Sequence, residues 1–158
     1  MTVLFLCTGN SCRSILAEAT FNALAGPELR AMSAGSQPTG TIHPRSLALL
    51  RREGIAIDGL HSKSWSRLPS IPDIVITVCG NAAGETCPAY LGSVLRAHWG
   101  VEDPAKATGT DAQIDAVFEQ AYRTLRTRIE AFLTLPLDRL RHERERLKAE
   151  LDRIAMPA

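Results

Sequence analysis

No apolar run in this chain approaches the length of a membrane span, and the first residues enter a strand without the basic flank and apolar core of a signal peptide. A cytoplasmic protein without a membrane partner is expected. No cluster of lysine or arginine occurs before the last helix, and 18 basic against 17 acidic side chains leave a formal net charge of +1. That balance argues against a nucleic-acid or anionic-membrane surface and for a small substrate. Cysteine is scarce, four in 158 residues. Cys7 and Cys12 are five positions apart and Cys79 and Cys87 eight apart, so neither pair has the short spacing of a structural zinc knuckle, and no metal site is expected. In a reducing cytosol these thiols point to catalysis or redox exchange rather than to structural disulfides.

What the chain does have comes at once. Val3-Leu4-Phe5-Leu6 is followed by Cys7-Thr8-Gly9-Asn10-Ser11-Cys12-Arg13-Ser14. Small and polar residues between a strand and a helix let the backbone curl with its N–H groups inward, and the helix adds its positive dipole end. A tetrahedral anion suits such a cradle. Arg13 offers a planar fork for two anion oxygens, and the positive surroundings are expected to hold Cys7 as a thiolate at neutral pH. The loop has neither the Lys-Ser/Thr end of a nucleotide-binding P-loop nor the three-glycine dinucleotide fingerprint, so the anion is small. A strand-end cysteine can be inert filler; the loop favours Cys7 as nucleophile. Cys12 reads the other way, a small side chain packed where the helix begins. Thr8, Gly9, Asn10, Ser11, Cys12, Arg13 and Ser14 are the expected anion-binding residues.

Short β-rich runs alternate with helical patterns, which predicts an α/β fold: a four-stranded parallel sheet with helices on both faces. Strands are expected at Val3–Leu6, Leu29–Ala34, Asp73–Val78 and Val94–Trp99, with helices at Ser14–Ala25, Pro44–Glu53 and Asp111–Leu133. Ile55–Gly59 reads as a short extended segment and His61–Pro69 as irregular with one turn. The length suits one domain, with its body at 1–135 and a C-terminal helical extension at 136–158. That extension, Leu137 to Ile154, carries Leu137, Leu140, Leu147, Leu151 and Ile154 in a heptad-like rhythm broken by Arg144. Folding back onto its own domain and self-association are both open. Cys79, like Cys7, ends a strand, and the carboxyl edge of an open α/β sheet is where ligands bind. The small-residue segment Gly80–Pro88 is expected to be mobile.

The loop from Cys7 to Ser14, with Asp103-Pro104 downstream, resembles the low-molecular-weight protein tyrosine phosphatase family. Cys79, Cys87-Pro88 and His98-Trp99-Gly100 ahead of Asp103-Pro104-Ala105 narrow the resemblance to the arsenate reductases on that fold, over most of Thr2–Leu133. The resemblance implies that the Cys7 thiolate attacks arsenate while Arg13 and the loop hold its oxygens, that Asp103 protonates the departing oxygen, and that Ser14 helps keep Cys7 ionised. It further implies that Cys79 attacks Cys7, releasing arsenite, and that Cys87 then takes the disulfide outward to a reducing partner. No bound cofactor is implied; the external reductant is thioredoxin, with glutaredoxin or a low-molecular-weight thiol as alternatives. A small-residue segment between Cys79 and Cys87 suits the movement such a relay needs.

Two departures stand out. Seven residues separate Cys79 from Cys87, one more than in the best-known thioredoxin-coupled members. Some members bind potassium at positions matched by Asn10, Glu18 and Ser33; the aspartate expected near Ser64 is missing, and the Lys63 ammonium is expected to replace the cation. A phosphatase is the enzymatic alternative, yet Ala105-Lys106-Ala107-Thr108-Gly109 offers no aromatic wall for a phosphotyrosine ring. A non-catalytic arsenite-binding sensor, using three convergent thiols, is the alternative of another class.

Overall fold

The computed structural model describes residues 1–79 and 94–156. Strand β1 (Thr2–Cys7) leads into helix α1 (Arg13–Leu24), followed by β2 (Arg30–Gly35), α2 (Pro44–Arg52), β3 (Ile74–Thr77), β4 (Leu95–His98), α3 (Asp111–Leu133), α4 (Leu137–Leu140) and α5 (Arg144–Ala155). All strand pairings are parallel, in the order β2-β1-β3-β4. The inner pair, β1 and β3, consists of near-continuous apolar runs, as strands covered on both faces must. Alternation along β1 divides the core. Val3, Phe5 and Cys7 join a large cluster with α1, α3 and α5, whereas Leu4 and Leu6 join Met32, Ala34 and Val75 beneath Trp65 and Leu68.

The chain runs from β1 outward to β2, then returns to place β3 on the other side of β1. Such a reversal opens a crevice at the carboxyl ends of the two inner strands. Local signals fix the helices that flank the sheet. The His43 ring accepts a hydrogen bond from Arg45 N–H at the start of α2, which stops before Gly54, left-handed at φ 71°. Thr110 and Gln113 cap α3 reciprocally. Arg45 pairs with Asp111 and Asp115 and so ties α2 to α3.

One expectation is refined and one corrected. Ile55–Gly59, read as a short extended segment, joins no strand and turns at residues 58–59, with Ile55 buried. Leu137 to Ile154 is two helices rather than one, parted at Arg141–Glu143. With Arg144 where the rhythm needs an apolar side chain, the chain breaks and re-aims so that Leu140, Leu147, Leu151 and Ile154 all reach the large core cluster.

Candidate active site

Beyond Cys7 the backbone leaves the sheet, and its carbonyls are gathered by the segment after β2. Thr8 O accepts from Gln37 N–H, Gly9 O from Thr39 N–H and Ser11 O from His43 N–H, at 3.0, 3.0 and 3.1 Å. With the carbonyls held outward, N–H groups turn in, and Asn10 N–H donates to Cys7 Sγ at 3.1 Å. Ser14 Oγ lies 2.9 Å from the same sulfur. Helix α1 starts at Arg13 without a side-chain cap, which leaves its first-turn N–H groups to face the crevice. Such inward N–H groups can receive an anion above the Cys7 sulfur.

Asn10 holds the loop in shape. It is the non-glycine residue with positive φ among the described residues, at 48°, a conformation asparagine tolerates better than most. Its buried amide donates to Ser14 Oγ at 2.8 Å and Ser33 Oγ at 2.9 Å and accepts from Lys63 N–H at 2.8 Å. Ser33 in turn donates to Glu18. The Lys63 ammonium stands 3.7 Å from the Glu18 carboxylate and donates to His61 O at 3.1 Å. Potassium therefore does not fit beside Glu18 as an added charge, since an ammonium is already there. Gly35 pairs in register with Cys7, and a Cβ on it would stand 2.3 Å from Thr8 O. Only hydrogen fits between β2 and the loop. The sequence reading ended the second strand at Ala34 and gave the next residue, Gly35, no role in the site.

Arg13 reaches across the crevice, donating to Val101 O at 3.0 Å and standing 3.5 Å from Asp103 Oδ2. The other Asp103 oxygen accepts from Ala105 N–H and caps a single 3-10 turn, Pro104–Lys106. Asp103 thus faces the cradle from a fixed backbone. Cys7, Arg13, Cys79, Asp103, Lys106 and Val117 line one cavity, whose wall has no aromatic ring among the described residues. Thr8 Oγ1 lies 3.6 Å from Cys79 Sγ, so Cys79, buried just past β3, stands at the rim of the loop that holds Cys7. Thr8, Gly9, Asn10 and Ser11 line the cavity too, while Ser14 works beneath it on Cys7. Cys12 also borders the cavity but is buried in the core cluster. Burial pushes the Cys12 thiol up from its ordinary value, against weaker opposing hydrogen bonds from Ser11 and Ser46. Cys87 and the segment Gly80–Pro88 lie outside the described residues. Among the described residues no cluster of His, Cys, Asp and Glu could hold a metal ion, and no helix is long and apolar enough to cross a membrane.

Known proteins resemble this chain in sequence and in fold. The model of the low molecular weight phosphotyrosine protein phosphatase family matches residues 2–150, running into the helical extension. An arsenate reductase of Halalkalibacterium halodurans is 40% identical over 131 residues, covering 82% of this chain and 93% of its own. A solved structure described as an arsenate reductase in the phosphate binding state superposes with a TM-score of 0.69 at 28% identity, over 84% of this chain and 95% of the other. A thioredoxin-dependent arsenate reductase of Corynebacterium glutamicum gives 0.57 at 31% identity, over 79% of this chain and 58% of that one. A cysteine-floored oxyanion cradle on a β2-β1-β3-β4 sheet, matched in sequence and in shape, leaves one conclusion: the chain belongs to the low molecular weight phosphotyrosine protein phosphatase family, among its arsenate reductases.

Proposed function

We propose that the chain reduces arsenate to arsenite through three cysteines, with an external thiol supplying the electrons. The cradle and Arg13 hold the arsenate oxygens, and the Cys7 sulfur attacks arsenic(V). One oxygen leaves as water, protonated by Asp103 as general acid, and a Cys7–arsenic bond remains. Cys79 then attacks the Cys7 sulfur. The sulfur–arsenic electron pair stays with arsenic, which departs as arsenite, and the two sulfurs are oxidised to a Cys7–Cys79 disulfide. Cys87 attacks Cys79, which frees Cys7 and moves the disulfide to Cys79–Cys87. A dithiol partner resets the cycle. Thioredoxin suits this role first, glutaredoxin or a low-molecular-weight thiol next, and no bound cofactor takes part. Residues 1–135 carry this chemistry, and the setting is the cytoplasm.

One observation carries the reading: the Cys79 sulfur stands beside Thr8, on the wall of the cavity whose floor is Cys7. A phosphatase has no use for a second thiol there. The test is arsenate-dependent NADPH consumption through thioredoxin and its reductase, in the wild type and in Cys7→Ser, Cys79→Ser and Cys87→Ser. Loss in all three is expected. Turnover that survives Cys79→Ser would overturn the relay, and aryl phosphate hydrolysis that persists in the Cys79→Ser/Cys87→Ser double variant would turn the assignment toward a phosphatase.

A further inference from the structure

The segment Trp99–Asp103 carries the acid and receives the Arg13 guanidinium, yet it belongs to no strand or α-helix. Something else must hold it. On the sheet side, Trp99 N–H donates to Thr77 O at 2.7 Å and Val101 N–H to Val78 O at 3.0 Å, which continues the β3 ladder to the residue before Cys79. On the far side stands α5. The fully buried Trp99 indole donates from Nε1 to Leu151 O, in the middle of α5, at 3.0 Å. The same ring packs against Phe5 of β1 and Phe132 of α3, at centroid distances of 6.2 and 6.4 Å.

Arg128 of α3 completes the connection. Its guanidinium donates to Gly100 O at 3.2 Å and to Ala155 O at 3.5 Å, the carbonyl that ends α5. The last carbonyls of a helix lack intrahelical partners, and a cation there meets the negative end of the dipole. Burial lowers the Arg128 pKa from its ordinary value, but an arginine starts so far above neutrality that it keeps its charge.

We infer that helix α5 is a buttress for the acid-bearing segment, fixing Trp99 and Gly100 from behind so that Val101 and Asp103 meet Arg13 in register; Arg128 and Leu151 are positioning residues. The inference rests on the reading of Asp103 as general acid. The apolar stripe that could have served self-association is turned inward against Trp99 and the core, leaving Leu147 and Leu151 only 4% and 0% exposed.

The test uses the full-length chain. Arg128→Met cuts both carbonyl contacts, Leu151→Ala loosens α5 under Trp99, and Arg128→Lys restores a cation. For each we would measure kcat with arsenate, the pH profile of Cys7 alkylation by iodoacetamide, and the melting temperature. A loss of kcat of about ten-fold is expected in Arg128→Met and Leu151→Ala below their melting temperatures. The alkylation profile should stay as in the wild type, because the contacts of Asn10 N–H and Ser14 Oγ with Cys7 Sγ are left in place. Arg128→Lys should recover part of the loss, and Arg128→Met should add nothing in an Asp103→Ala background. Wild-type kcat in both Arg128→Met and Leu151→Ala beside an impaired Asp103→Ala would overturn the buttress alone. Wild-type kcat in Asp103→Ala would sink the acid reading and the buttress with it.

Discussion

Gly35 shows how one hydrogen atom can decide the shape of a site. Replacing it with alanine drives a methyl group to 2.3 Å from the Thr8 carbonyl, which cannot yield without moving the loop off Cys7. Gly35→Ala should therefore lower kcat with arsenate by about a hundred-fold, as small misplacements of reacting groups do, while the sheet still forms. Steady-state kinetics beside far-ultraviolet circular dichroism would check both parts. At this scale the sequence was most informative about the groups that the proposed reaction uses, because a cysteine and an arginine in one short loop have few structural reasons to coincide. It said little about residues that act by being small. A glycine at a strand end carries the same letters whether it ends the strand or makes room for a neighbour.

Elements followed their periodicity wherever one face was buried. Helix α3 occupies Asp111–Leu133, the range its pattern predicts, with Thr110 as the cap, and β3 lies within its apolar run. The misreading has a long-range cause. At Arg141–Glu143 the local pattern was compatible with one continuous helix, and partners distant in sequence decided otherwise. The contact between the 61–64 segment and α1 is of the same kind. Lys63 N–H and Lys63 Nζ, reaching Asn10 and Glu18 respectively, connect that segment to the loop and the helix. With an ammonium already balancing Glu18, activity should be the same in potassium and sodium at fixed ionic strength. Lys63→Ala should make it depend on potassium. Clear stimulation of the wild type by potassium would refute this role for Lys63.

Across the whole molecule, the return of the chain from β2 to β3 is what unites sulfurs seventy-two positions apart, Cys7 and Cys79. The strand-end rule made that meeting foreseeable, but the distances that give it meaning depend on packing that no local pattern encodes. Because the cradle joins β1, β2, α1 and the 61–64 segment, an anion seated in it should stabilise the entire fold. Inorganic phosphate at about a hundred times its dissociation constant should add about 2.7 kcal/mol and raise the melting temperature of the wild type. Arg13→Met should show little of this rise. Equal shifts in the two proteins would place the phosphate elsewhere.

The fully bonded amide of Asn10 has a last consequence. A seat completed by the protein's own hydrogen bonds is ready before any guest arrives, so under the proposed reaction arsenate, phosphate and sulfate would compete for it on nearly equal terms of size and charge. Discrimination would then fall to electron acceptance: of these guests, arsenic(V) is the one whose central atom two thiols can readily reduce. Under the proposed reaction the enzyme sorts its guests by reactivity rather than by fit, and abundant phosphate acts as a reversible occupant that delays turnover without being consumed.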